Sequence, residues 1–147
     1  MYKNILIATD GSELADKAVS NGLSLARELN TNVVIVTVTE LWSAFEMARR
    51  LDEDRQAIEH YEENAAKWAQ HILSATADKA KELNVSYETL HIKDRHPAEG
   101  IIETSKSKGS DLIVMASHGR RGIKKAILGS VANEVTTYSA IPVLIYK

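Results

Sequence analysis

Between Met115 and Val131 the chain reads M-A-S-H-G-R-R-G-I-K-K-A-I-L-G-S-V. The stretch follows an apolar run, Leu112 to Met115, and ends at Gly129-Ser130, where a helical pattern begins. A strand end, a glycine-bearing loop and a helix start together suit an anion. Glycine lets the backbone approach closely, and the first N–H groups of a helix point outward with partial positive charge. Arg120, Arg121, Lys124 and Lys125 lie in the same loop, although the chain carries a formal net charge of −2. The positive charge is therefore local and aimed at a particular ligand. A second polar turn, Thr9-Asp10-Gly11-Ser12, follows the apolar run Asn4 to Ala8 and supplies an acid at a strand end.

Other chemistries are narrowed by what the sequence lacks. It has no cysteine, which excludes disulfides, thiolate nucleophiles and cysteine–zinc sites. There is no G-x-x-x-x-G-K-[ST] loop, no nucleophile elbow and no H-x-x-x-H histidine pair on one helix. Catalysis is therefore not expected, and any hydrolysis would be slow or partner-dependent. His60, His71, His91 and His96 show no metal-ligand spacing and are expected at the surface or half-buried.

The elements that must hold these loops are legible from apolar periodicity. At 147 residues, with 44% hydrophobic and 26% charged residues, the chain is sized for one globular domain over 1–147. No apolar run approaches the roughly 20 residues of a membrane helix, and the start lacks a signal-peptide layout. A cytoplasmic location is the expectation, without nucleic-acid or membrane partners.

Asn4 to Ala8 predicts a first strand. Ala15, Ala18, Val19, Gly22, Ala26 and Leu29 predict a helix over Glu13 to Leu29, capped by Ser12 and stopped at Asn30. Val33 to Val38, nearly all β-branched, predicts a strand buried on both faces. Ser43 and Glu46 form a capping box, after which a long helical pattern runs to Leu83 with a stripe of Ile58, Tyr61, Ala65, Trp68, Ile72, Thr76, Ala80 and Leu83. Trp68 and Tyr61 are expected in the core or an interface. Val85 to Ile92 alternates as a strand near the sheet edge, and Pro97 to Gly109 frames a third helix. Asp111 to Ala116 is a fourth strand. A short helix with Val131, Ala132, Val135 and Tyr138 on one side follows, then a last strand, Ile141 to Tyr146, placed at an edge by Pro142. Alternating strands and helices imply a doubly wound, five-stranded parallel α/β sheet with helices on both faces. In such sheets ligands sit beyond the carboxyl ends of strands where the order reverses. If strands one and four are neighbours, the two polar loops line one crevice.

The opening K-N-I-L-I-A-T-D-G-S, the segment D-L-I-V-M-A-S-H-G-R-R-G, the G-S-V at Gly129 to Val131 and the closing P-V-L-I-Y resemble the universal stress protein family across the whole chain. The resemblance implies a strand order of 3-2-1-4-5. It also implies a nucleotide-binding motif of Gly, two residues, Gly, nine residues, then Gly-Ser or Gly-Thr. Gly119 and Gly129-Ser130 satisfy the later part, and Ala116 stands where the first glycine would be. The resemblance assigns Asp10 to the ribose or a metal-bound water, with Ala8 and Thr9 beside it, and Val38 to the adenine. Ala116, Ser117, His118 and Gly119 would line the ribose and first phosphates. Arg120, Gly129, Ser130 and Val131 would hold the phosphate tail.

Each residue has a plainer reading. Ser130 could only cap its helix, Asp10 could only stabilise its turn, and His118 suits orienting its loop better than acting as a base. The leading expectation is a stress-responsive module that binds ATP, with or without Mg2+, or a related adenine nucleotide, and acts through an unidentified protein partner. The alternative is a dimeric stress protein that binds no nucleotide and works by protein contacts, which a methyl at Ala116 crowding a phosphate or ribose would favour. An adenylate-forming enzyme lacks supporting motifs. Under both leading readings the apolar terminal strand predicts a homodimer.

Overall fold

The computed structural model describes residues 1–40, 55–119 and 127–147. The capping box at Ser43 and Glu46 and the basic residues Arg120, Arg121, Lys124 and Lys125 lie outside the described residues. Five strands, β1 (Asn4–Ala8), β2 (Asn32–Thr39), β3 (Tyr87–Lys93), β4 (Leu112–Ala116) and β5 (Val143–Tyr146), form one sheet in the order β3-β2-β1-β4-β5. All four pairings are parallel. The described helices are α1 (Glu13–Leu29), α2 (Arg55–Glu82), α3 (Pro97–Ser107) and α4 (Ser130–Tyr138).

The sheet divides the core into two layers because alternate strand residues point to opposite faces. Ile5, Ile7, Val33, Ile35, Leu112 and Val114 pack with Val19, Leu23 and Ala26 of α1 and Leu73 and Ala80 of α2. On the other face Leu6, Ala8, Val36, Ile113 and Met115 meet Ala98 and Ile101 of α3 and Ala132 and Val135 of α4. Ile5, Leu6 and Ile7 of the central strand are wholly buried, which is why β1 carries no alternation of polar and apolar residues.

Local chemistry sets the ends. Ser12 Oγ accepts from the Ala15 amide at 3.2 Å, and Asn30 closes α1 in the left-handed region at φ 50°. At the amino ends of the strands, Asp111 accepts from the Lys3 and Asn4 amides at 2.8 and 3.2 Å, and Asn4 Nδ2 donates to the Lys108 carbonyl at 2.8 Å. These bonds tie the feet of β1 and β4 together. Their carboxyl ends feed loops that turn away in opposite directions, which leaves the expected gap at the reversal.

The structure departs from the sequence expectation in places. β3 begins at Tyr87, not Val85, because Val85 is spent as a buried core residue whose amide donates to the Ala80 carbonyl. β5 covers only Val143–Tyr146. Tyr138, expected on the packed side of α4, is 72% exposed at its last turn.

Candidate functional site at the strand reversal

A cavity of about 600 Å³ opens above the carboxyl ends of β1, β2 and β4. It is lined by Ala8, Thr9 and Asp10 after β1, by Val38 on β2, by Ala116, Ser117, His118 and Gly119 after β4, and by Gly129, Ser130 and Val131 at the start of α4. Every expected binding residue among the described ones thus faces one space, and Arg120 lies outside the described residues. The volume falls within the usual range for a small-molecule site.

Two glycines make this space. A Cβ at Gly119 would overlap Oδ2 of Asp10, so the loops after β1 and β4 come together here with the carboxylate end of Asp10 against the bare Cα of residue 119. At Gly129 a Cβ would stand 2.8 Å from the Ser117 carbonyl oxygen and 3.3 Å from the His118 ring. The Gly129 amide donates to that same carbonyl at 2.8 Å, which pins the start of α4 onto the β4 loop. Gly129 therefore acts through its backbone as the clasp between loop and helix, and its amide is not free for a phosphate.

Gly129 is also the N-cap of α4 and supplies no capping side chain. Ser130 is the first helical residue and exposed, which corrects the capping role considered for it and leaves its hydroxyl beside the cavity. The first-turn amides at Ser130, Val131 and Ala132 precede any intrahelical acceptor and carry the positive end of the helix dipole. An anion is favoured there.

On the β1 side, Asp10 Oδ1 accepts from the Ser12 amide at 3.0 Å and Thr9 Oγ1 from the Gly11 amide at 3.2 Å. The Thr9 amide donates to the Val36 carbonyl at 3.0 Å, extending the sheet into the loop. The carboxyl group of Asp10 so held borders the same cavity as the anion-favouring start of α4. A ligand spanning both must place a hydroxyl or a cation by the acid and its anionic part by the helix. Ser117 is buried; its amide donates to the Tyr146 carbonyl at 2.8 Å, and its Oγ lies 3.1 Å from His118 Nδ1. The imidazole is thereby oriented by its neighbour, in line with a loop-ordering role.

Ala116 packs with Ala15 and Ala18 of α1. Its methyl lies on the α1 side of the sheet, where Val114 two residues earlier also packs, and Ala15 and Ala116 both border the cavity there.

Sequence reasoning missed much of the far wall. Tyr61, Asn64, Ala65 and Trp68 of α2, and His96, Pro97 and Ile101 at the start of α3, also line the cavity. Tyr61 and Trp68 are half-buried here, not sunk in the core. Their three-and-four spacing was visible, but periodicity alone cannot tell a stripe that meets a sheet from one that overhangs its end. His96, expected at the surface or half-buried, is exposed, and it also caps α3, its Nδ1 accepting from the Ala98 amide at 3.3 Å. On β3, beside the end of β2, His91 Nε2 lies 2.7 Å from Thr39 Oγ1, and burial, followed by the nearby charge of Lys93, lowers the His91 pKa below its ordinary value.

A parallel sheet ordered 3-2-1-4-5 with a crevice at its reversal point defines an open, doubly wound α/β protein. The family profile described as the universal stress protein family matches residues 1–147, and the chain belongs to that family. It is 31% identical to universal stress protein YxiE of Bacillus subtilis (strain 168), with 100% of each chain covered. Its fold superposes on that of protein MJ0577 with a TM-score of 0.80 at 24% identity, covering 100% of this chain and 96% of the other; that protein is from Methanocaldococcus jannaschii. It superposes also on a universal stress protein from Archaeoglobus fulgidus in complex with dAMP, with a TM-score of 0.71 at 18% identity, covering 99% and 98%. Among the described residues, no helix is long and apolar enough to cross a membrane.

Proposed function

We propose that this universal stress protein is a nucleotide-dependent regulatory module that binds ATP or a related adenine nucleotide in the crevice above β1 and β4. The observation that carries the reading is the pairing of Asp10, held against Gly119, with the open start of α4 held by the Gly129 clasp. The first suits ribose hydroxyls or a Mg2+-bound water and the second suits phosphate oxygens. The dAMP complex of the Archaeoglobus fulgidus relative supports the choice of an adenine nucleotide. In this reading Ser130 Oγ and the Ser130 and Val131 amides hold the phosphate tail, Asp10 and Thr9 the sugar, and Val38 meets the base. Arg120 adds a charge-assisted contact to the tail. Hydrolysis is slow or awaits a partner, the protein resides in the cytoplasm as a single-domain homodimer, and a protein partner reads out its nucleotide state.

The test is thermal unfolding with and without ATP. A ligand at 100 times its dissociation constant stabilises by about 2.7 kcal/mol, and for a chain of this size each kcal/mol raises the melting temperature by roughly 2–4 °C. A rise of about 5 °C or more is expected, with bound adenine nucleotide recovered by mass spectrometry of the native protein. No shift with ATP, ADP or AMP, and none recovered, would leave the alternative of a stress protein acting through protein contacts alone.

A further inference from the structure

The cavity is longer than a phosphate tail requires. Past the end of β2 it continues between two helices, with Tyr61, Asn64, Ala65 and Trp68 of α2 on one side and Pro97 and Ile101 of α3 on the other. The α2 residues stand at i, i+3, i+4 and i+7, which puts them on one helix face. Directly after Trp68, Ala69, Ile72 and Leu73 are buried, Leu73 among the residues of the sheet, so the earlier turns reach past the strand ends. This arm differs in chemistry from the Gly119 to Val131 end. Among the described residues it offers apolar and aromatic surface with one side-chain amide, Asn64, on the α2 wall, and Thr39 and Glu40 at the end of β2.

We infer that this arm is a base subsite in which Trp68 packs against an adenine and Asn64 reads its edge, so that α2 makes the pocket select adenine over guanine. The inference rests on the nucleotide reading above and adds residues of α2 that the strand-end motif does not contain. The physical grounds are the ring surface and the amide. An aromatic side chain holds any base by stacking or edge contact. A carboxamide presents a donor and an acceptor side by side, which matches the amine and neighbouring ring nitrogen of adenine. Guanine presents two acceptors at the corresponding edge, of which the amide can satisfy only one. Tyr61 is committed differently: its hydroxyl donates to the Glu40 carbonyl at 3.0 Å and ties α2 to the end of β2. It positions the wall and leaves edge reading to Asn64.

The chain contains two tryptophans, so Trp42→Phe leaves Trp68 as the sole emitter. In that background, saturating ATP should change Trp68 emission, while inorganic tripolyphosphate should not. By calorimetry, Trp68→Leu should weaken ATP binding by about fivefold or more and leave tripolyphosphate binding unchanged. Asn64→Ala, at an exposed position that should not disturb folding, should shrink the preference for ATP over GTP. If ATP saturates the protein with Trp68 emission unmoved, or if both variants bind ATP and GTP as the parent does, the inference is overturned while the nucleotide reading stands. If the parent binds no adenine nucleotide, both fall together.

Discussion

Gly119 and Asp10 belong to different loops, and one has no side chain where the other has its carboxylate. Gly119→Ala must push the acid out of place. Since Gly119 is exposed, the strain should appear in binding more than in folding. We expect adenine nucleotide affinity to fall about tenfold, equivalent to about 1.4 kcal/mol, with a circular dichroism spectrum like the parent's. Calorimetry that finds affinity unchanged would remove Asp10 from the site. Ala116 makes the opposite case. Because it packs on Ala15 and Ala18, Ala116→Gly should alter nucleotide affinity by less than about twofold and cost roughly 0.5–1 kcal/mol of stability in urea, the usual cost of glycine inside a strand. A large gain in affinity would show instead that the methyl obstructs the ligand. At this scale the sequence revealed which residues to watch and hid why. Gly119 and Gly129 stood out by spacing, whereas their neighbours, Asp10 and the Ser117 carbonyl, are brought near only by the tertiary fold. Ser130 illustrates the same limit. A serine before an apolar pattern reads as a cap, yet the clasp from Gly129 moves the helix start one residue back and turns the serine outward.

Elements announced themselves wherever one physical demand acted alone. The limits of α1 were legible because Ser12 and Asn30 have no competing duty, and β1, β2 and β4 because burial on both faces leaves only apolar or β-branched residues. Where two demands met, the reading slipped. Val85 looks like a strand residue but fills the core at the end of α2, and Tyr61 and Trp68 continue a core stripe past the sheet into the cavity. The β2–β3 edge yields a prediction of its own. His91, bonded to Thr39, has its pKa depressed by burial and then by Lys93, so the folded state resists its protonation. Below the ordinary value of 6.5 the unfolded chain takes up a proton that the folded chain does not. The stability His91 contributes is therefore complete above pH 6.5 and is lost as pH falls through the depressed folded value. Thermal melts should decline more steeply below pH 6.5 in the parent than in His91→Gln, which cannot titrate; parallel curves would show that His91 carries no linkage.

At the scale of the whole molecule the unequal treatment of the two sheet edges matters most. Both β3 and β5 are terminal strands. α2 packs over β3, and the β3 flank is charged: Lys108 Nζ meets Glu88 Oε1 at 2.6 Å, and Lys93 closes the strand. Such charges discourage another strand from pairing. Among the described residues, β5 carries no charged residue within the strand and no ion pair on it; only Lys147 follows it. It is V-L-I-Y, with Leu144 46% exposed and Tyr138 72% exposed nearby. A short apolar edge with open backbone donors and acceptors is satisfied most simply by the same strand of a second copy, because a two-fold axis lets each strand complete the other. We therefore expect a homodimer built on β5. Light scattering at micromolar concentration should give twice the chain mass of 16.2 kDa. Leu144→Lys, which places a charge at the centre of the proposed seam without touching the core, should give a folded monomer. A consequence for the site follows from the chain path. The Ser117 amide donates to the Tyr146 carbonyl, so the end of β5 is bonded directly to the loop that borders the cavity. Pairing at β5 should steady that loop, and the monomeric variant should bind adenine nucleotide more weakly than the dimer while its fold is unchanged. Equal affinity in monomer and dimer would separate assembly from the site.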